Sequence, residues 1–306
     1  MKQTSMFSFS SQRIGLEPDT RVVDLFCGIG GFSCGAKQAG HRVVCAVDCD
    51  PFLLGCHVRN NPSCVHICCK LPRDDLPFPT DGKWHLHGSP PCTKLSIMRP
   101  HQYENDRQEA IDLVSWFLSL VKSAKPSSWS MEQVNHRSVR QRLIDLKRKH
   151  PLWFDWTIAD AVDYQVPQYR KRLIAGSPCL ISNLRASKSR KRKLCVRDVI
   201  HDPPKPFIRN NLYSRPDEHT LENVQVPLKD QLRSVDKPSY TILATGHKRW
   251  SDEDGNVLRH LTGEEGALIQ SFPKDYRLPW NTTLSLIGVG NAMPPKLACA
   301  LMQPTV

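Results

Sequence analysis

No apolar run in the 306-residue chain reaches the length of a membrane span. The opening, MKQTSMFSFSSQR, has no apolar centre of the kind a secretory signal requires. An intracellular protein without a membrane anchor is expected. The chain also lacks any C-x-x-C pair, although it holds 12 cysteines. Cys45 and Cys49 stand four apart, and Cys64, Cys68 and Cys69 cluster around His66. Neither grouping has the spacing of a structural zinc site, so free buried or incidental thiols and no metal are expected. Internal repeats and a long disordered tract are absent as well. What remains is a chain with 40% apolar residues, enough for a packed core, and a net charge of +12. That charge favours a polyanionic partner. Six of the nine residues from Arg185 to Lys193 are basic. They suit a phosphate-binding loop, a nuclear-import signal or a solvated charged loop.

Strand and helix signals alternate through the first half. Arg21–Phe26, Val43–Asp48, Trp84–Ser89, Trp129–Met131 and Arg172–Ala175 read as strands. Phe32–Ala39 reads as a helix stopped by Gly40. Ile111, Val114, Phe117, Leu118 and Val121 mark another, ended by Pro126. The alternation predicts an α/β fold: a doubly wound, mostly parallel sheet of the Rossmann-like kind, covered by helices. After Gly176 the periodicity breaks, and helical character returns near Leu258–Phe272. The expected organisation is an N-terminal extension (1–18), a large domain (19–176) and a smaller loop-rich domain (177–283). The last segment (284–306) should return as a helix to the large domain.

Three places carry candidate chemistry. Asp24-Leu-Phe-Cys-Gly-Ile-Gly-Gly31 follows a strand and opens a helix, where glycines let a ligand approach the backbone. It is G-x-G-G, not the dinucleotide G-x-G-x-x-G. Asp48 ends the next strand, where a carboxylate can accept both hydroxyls of a ribose. Together these fit an adenosyl ligand, against the plainer reading of a tight turn and a solvent-facing Asp. Gly88-Ser-Pro-Pro-Cys92 holds a cysteine where ligands meet such a sheet, and its thiolate suits attack on an electron-poor ring carbon. Glu132 follows a further strand. Arg170 and Arg172 enter another on one side by two-residue alternation. Each alone reads as a surface salt-bridge partner. At neighbouring strand ends they would make a site for a polar heterocycle.

These segments resemble the cytosine-5 methyltransferase family over nearly the whole chain. Asp24–Gly31 resembles its cofactor loop and Pro90-Pro-Cys92 its nucleophile loop. Glu132-Gln-Val134 stands at its Glu-Asn-Val, and Gln168-Tyr-Arg-Lys-Arg172 at its Gln-x-Arg-x-Arg. Arg259–Glu264, Gln270–Pro273 and Gly290–Pro295 are similar to its last blocks. The resemblance implies transfer of a methyl group from S-adenosyl-L-methionine to carbon 5 of cytosine in double-stranded DNA. Cys92 would be the nucleophile on carbon 6 of a flipped-out base. Glu132 would bind ring nitrogen 3 and the amino group, Arg172 the ring carbonyl, and Arg170 would order Glu132. Phe26, Gly28, Ile29, Gly30, Gly31, Asp48 and Asn291 would hold the cofactor. Pro91, Lys94, Ser96, Gln168, Arg185, Lys188, Arg190 and Arg209 are the candidate substrate contacts. No obligate protein partner is evident, and a monomer is expected. The compact form suits a prokaryotic or large-virus enzyme, with or without a paired restriction enzyme.

The pattern departs from the family in places. Gln133 replaces Asn, adding a methylene beside Glu132. The nucleophile loop continues Thr-Lys-Leu-Ser96, where relatives have Gln after Cys and Phe before Ser. The adenine-side Asp at the end of the third strand is replaced by His66-Ile-Cys-Cys69, with Asp74 and Asp75 displaced. Two other functions stay open. One is an RNA cytosine-5 methyltransferase, although the Cys-Phe-Thr signature of the transfer-RNA branch is absent. The other is a catalytically weak nucleic-acid-binding scaffold, which Gln133 and the absent Asp keep open.

Overall fold

The computed structural model describes residues 16–73, 75–91, 104–210, 214–216, 223–244 and 248–304. Cys92, Lys94 and Ser96 lie outside them. The first half builds β1 (Arg21–Leu25), α1 (Gly31–Gln38), β2 (Arg42–Asp48), α2 (Pro51–Asn60), β3 (Val65–Cys68) and β4 (Trp84–Gly88). It continues with α3 (Glu104–Ala124), β5 (Ser128–Val134), α4 (Arg137–Lys149), β6 (Asp155–Asp160), β7 (Lys171–Gly176) and α5 (Pro178–Ala186). The seven strands form one sheet in the order β3-β2-β1-β4-β5-β7-β6. Only β7 runs against the others. The chain leaves β1 outward to β2 and β3, then crosses back to β4. The order therefore reverses between β1 and β4, and a ligand crevice is expected above that point. The doubly wound α/β architecture is as the alternation predicts.

Burial follows chemistry. β1 and β4 have almost no exposed residue, as parallel strands covered on both faces must, although β4 buries two histidines. Leu25, Leu86, Phe117, Met131 and Leu173 fill one side of the sheet. Phe32, Leu180, Ile181, Leu184, Leu297 and Leu301 fill the other. α5 thus packs into the large layer, which continues past residue 177 through Ala186.

The remainder forms a four-stranded sheet in the order β11-β8-β12-β13, from β8 (Phe207–Asn210), β11 (Leu232–Ser234), β12 (Lys248–Ser251) and β13 (Val257–His260). β9 (Ser214–Pro216) and β10 (Asn223–Gln225) make a separate pair, and α6 (Leu228–Gln231) precedes β11. The chain then returns. α7 (Gly263–Ile269) packs on α8 (Thr282–Asn291), and α9 (Pro295–Leu301) packs along α1.

Gly290 lets α8 seat against the 243–244 backbone. A Cβ there would stand 2.2 Å from the Ala244 nitrogen. Backbone cannot rotate away as a side chain can. Gly290→Ala is therefore expected to lower the thermal midpoint by roughly 3–10 °C, the overpacking cost spread over a chain of this size. A midpoint within about 1 °C of wild type would mean that the contact yields freely.

Candidate active site

The loop after β1 is bent by backbone angles that ordinary residues avoid. Phe26 has φ 59° and Gly28 φ 52°. Gly28 N–H then donates to Asp48 Oδ2 at 2.8 Å, and Asp50 N–H to Asp48 Oδ1 at 2.9 Å. The β2 carboxylate ties the loop to the start of α2, whose N-cap is Asp50. Gly31 opens α1 where a Cβ would meet the Met293 carbonyl at 2.2 Å, so the returning C-terminal segment closes directly on the loop.

A cavity of about 690 Å³ lies above the β1/β4 switch point. Phe26, Gly28, Gly31, Asp48 and Asn291 line it, as the sequence suggests, and so do Asp24, Pro91, Trp116 and Glu132. Ile29 and Gly30 are different. Ile29 is fully buried in the core beneath, while a Cβ on Gly30 would strike His57 and Tyr276. They shape the loop from behind and are absent from the cavity wall. In place of the expected third-strand Asp, the wall carries Cys69, Lys70, Leu71 and Pro72.

The cavity is strongly acidic. Asp24, Asp48, Asp50, Glu109, Asp112 and Glu132 face it against Lys70. Burial raises the Asp24 carboxyl to about 7, despite a 2.6 Å hydrogen bond from Ser33 Oγ. Its other oxygen is buried and accepts no hydrogen bond from the described residues. Burial likewise raises Asp48. An orphaned carboxylate oxygen in such a wall suits a cationic N–H donor, such as the ammonium of an amino-acid ligand.

Glu132 and Arg172 meet at the upper edge of the sheet. Arg172 Nε lies 2.7 Å from Glu132 Oε1, and both side chains are nearly buried. β5 and β7 pair Val134 with Arg172, which sets the two groups side by side. Arg170 has another position. Its guanidinium donates to the carbonyls of Ile242 (2.9 Å), Gly290 (2.7 Å) and Ala292 (3.1 Å). It pins the small sheet and the C-terminal helices to β7, and the arginine seen against Glu132 is Arg172. Gln133 Nε2 donates to the Pro90 carbonyl at 3.1 Å. The additional methylene thus reaches the loop two residues before Cys92.

Several candidate substrate contacts are occupied elsewhere. Gln168 is fully buried. Its amide bonds Gln270 and accepts from Ile242 N–H at 2.7 Å, so it fastens the segment before β7 to the end of α7 and to the segment around Ile242. Arg209 donates to the Gly255 carbonyl at 2.7 Å and to Gln231 at 3.3 Å. Arg185 pairs with Asp155 at 2.6 Å, at the end of β6 away from Glu132. Lys188 lies 3.6 Å from Asp163, and Arg190 is exposed. Gln168 came with the segment that resembles Gln-x-Arg-x-Arg, while charge pointed to the four basic residues, and charge does not distinguish a free cation from one already paired.

Two arrangements escaped the sequence reading. One is a polar ladder through the core: Ser128–His85–Ser130–His87–Ser89, each step 2.8–2.9 Å. It climbs β4 and β5 to Ser89 on the cavity wall. Phe32 stacks on His87 with ring centres 3.4 Å apart. Burial lowers His85 to about 3 and His87 further. The other is a basic aromatic patch beside β7. Arg233 stacks 4.2 Å over Tyr240 and 5.6 Å from Tyr169, and Lys193 lies 5.5 Å over Tyr169. Alternating Ser and His in a strand, and the spacing of Tyr169 from Arg233, carry no local signal.

The model of the family described as C-5 cytosine-specific DNA methylase matches residues 20–305. The chain is 31% identical over 167 residues to the type II methyltransferase M.XorII of Xanthomonas oryzae pv. oryzae, covering 50% of this chain and 39% of that one. It is 27% identical over 296 residues to the type II methyltransferase M.HgiDI of Herpetosiphon aurantiacus, covering 91% of each. Among solved structures, a prophage-encoded DNA modification methyltransferase of E. coli aligns with TM-score 0.64 at 19% identity, covering 93% of this chain and 97% of that one. Spodoptera frugiperda DNMT2 aligns with TM-score 0.59 at 17% identity, covering 92% and 97%. At these identities the structural likeness carries the fold.

Proposed function

The chain belongs to the C-5 cytosine-specific DNA methylase family and is a DNA cytosine-5 methyltransferase, and from this premise we propose that Cys92 attacks a flipped-out cytosine of duplex DNA beside Glu132 and Arg172. The observation that supports the reading most is that Glu132, nearly buried and paired with Arg172, lines the same cavity as Asp24, Asp48 and Asn291. One side of that cavity suits an adenosyl amino acid, and the other a polar heterocycle. Its volume of about 690 Å³ is in the range of ligand sites.

S-adenosyl-L-methionine, when bound, supplies an electrophilic methyl group. Asp48 would accept the ribose hydroxyls and Asp24 the ammonium, while Phe26, Gly28, Gly31 and Asn291 enclose the remainder. Cys92 adds as thiolate to carbon 6 of cytosine, which makes carbon 5 nucleophilic. Glu132 donates or shares a proton at ring nitrogen 3 and so neutralises the charge that the addition creates. Arg172 holds the Glu132 carboxylate in register and lies within reach of the ring carbonyl. After methylation, loss of the carbon-5 proton expels the Cys92 thiolate. Gln133 holds the nucleophile loop through Pro90. The patch of Arg233, Tyr240, Tyr169 and Lys193 supplies cations and ring faces for a phosphate backbone. Exposed Arg190 is available for the same role. The type II methyltransferase relatives favour a modification enzyme, and we take it to mark a short sequence and to act as a monomer inside the cell. We assign residues 177–283 in the main to target recognition, with α5 on the catalytic layer. Among the described residues no helix is long and apolar enough to cross a membrane.

The test is a covalent trap. Fluorine at carbon 5 of cytosine blocks the final elimination. With labelled S-adenosyl-L-methionine, wild type should form an adduct with 5-fluorocytosine duplex DNA, and Cys92→Ser should form none. A trap on RNA alone would move the substrate to RNA. No trap on either, with the methyl donor still bound, would support the scaffold reading.

A further inference from the structure

The sequence offers no paired cysteine spacing for a metal, yet folding gathers a compact donor set from two elements. His57 comes from the last turn of α2, and Cys64 and His66 from the turn into β3. One ligand atom from each of the three residues lies within 4.8 Å of the other two. His57 Nδ1 and His66 Nε2 are 2.8 Å apart. Nitrogen ligands bound at about 2.0–2.1 Å in a tetrahedron stand about 3.3 Å apart, so the two imidazoles need open by only about half an ångström to admit an ion, with Cys64 within 4.8 Å of both. Imidazole and thiolate donors are the set that zinc takes.

Two further observations point to a ligand at this place. Asn61 is nearly buried, and its side-chain oxygen has no hydrogen-bond partner among the described residues. The nitrogen of the same amide lies 3.4 Å from His57 Nδ1, so the orphaned oxygen belongs to the rim of the cluster. The second is the support behind His57. Its Nε2 lies 2.9 Å from Ser33 Oγ, which lies 2.6 Å from Asp24 Oδ2. Metal-bound histidines characteristically donate their other ring N–H into such a chain.

We propose that His57, Cys64 and His66 form a zinc site beneath the cofactor cavity, with Asn61 or a water completing the tetrahedron. The ion joins the end of α2 to β3, the two elements that carry the wall beyond Asp48. It also fixes the tautomer of His57. With Nδ1 on the metal, Nε2 carries the hydrogen and donates to Ser33, whose hydroxyl then donates to Asp24. The orphaned Asp24 oxygen stays an acceptor for the methyl donor's ammonium. This last point rests on the proposed cofactor site; the metal site itself does not.

The test uses the purified full chain and zinc or cobalt alone. Wild type should bind one zinc per chain against a competing chelator. Cobalt in its place should give the thiolate charge-transfer absorption of a cysteine-ligated, four-coordinate ion. Cys64→Ser should remove that absorption, and His66→Gln should weaken zinc at least about tenfold. Cys68→Ser, an exposed thiol in the same region, should change neither. Absence of the thiolate absorption in wild type would overturn the site without recourse to any variant. So would wild-type affinity in Cys64→Ser, or loss of the absorption in Cys68→Ser alone. Methyl-donor binding is read separately, so a failed metal site and a failed cofactor assignment give different results.

Discussion

Glu132→Gln is expected to slow methyl transfer by roughly 10²- to 10⁴-fold, the range that a positioned proton donor contributes, while methyl-donor affinity stays within about threefold. The substitution keeps shape and removes charge. In wild type the carboxylate sits 2.7 Å from Arg172 Nε with both groups nearly out of water. Glutamine can still hydrogen-bond the base but cannot deliver a proton to ring nitrogen 3. It also leaves a buried guanidinium uncompensated, a cost of about 3–5 kcal/mol when one partner of such a pair is removed. A lower thermal midpoint should therefore accompany the lower rate. Arg172→Ala gives the complementary result: a larger loss in rate than in duplex affinity, because Glu132 loses its orienting partner. Single-turnover rates together with duplex and methyl-donor titrations separate these effects. A Glu132→Gln rate within about twofold of wild type would remove Glu132 from the chemistry.

The sequence made some of this legible for a definite reason. β1 and β2 are short, mostly apolar runs, β1 almost wholly buried, and β4 and α1 are bounded by glycine, which made these elements readable. β6 has mostly half-buried residues because it is the edge strand, and it passed unread. α5 has a single apolar stripe, Leu180, Ile181 and Leu184, within a polar stretch and was read as part of the small domain. At the site, glycines and strand-end acids marked residues of the cavity wall, since position on a strand implies position on the sheet edge. Arg170, Gln168 and Arg209 share the composition of ligand-binding residues. Their hydrogen bonds run to carbonyls and amides up to 122 residues away, which no local pattern encodes. The same is true of His57, whose meeting with Cys64 and His66 depends on how α2 lies against β3.

Between pH 6.5 and about 4.5, replacing His85 and His87 with Gln should reduce the loss of stability on acidification by up to about 5 kcal/mol. Both rings are fully buried in the serine ladder, with His85 lowered to about 3 and His87 lower still. The unfolded chain takes up their protons below about 6.5 and the native chain does not, so each ring withdraws about 1.4 kcal/mol per pH unit as pH falls through this window. Asp24 acts oppositely. Raised to about 7, it holds its proton in the native state while the unfolded chain releases it above 3.8, so its contribution is lost as pH rises. Asp48, also raised, acts in the same sense. His57, lowered to about 3 by burial, acts in the same sense as the two ladder rings, so the raised acids offset only part of the loss on acidification. Asp24→Asn should expose the histidine contribution as a steep fall in the urea midpoint below pH 6.5. The double glutamine variant should lose less of its midpoint on acidification than wild type, with His57 still contributing a loss. Surface carboxylates such as Asp198, held low by Arg192, enter only at lower pH and do so equally in every variant. Equal slopes in wild type, Asp24→Asn and the histidine variant would show that these buried groups exchange protons with water before the chain unfolds.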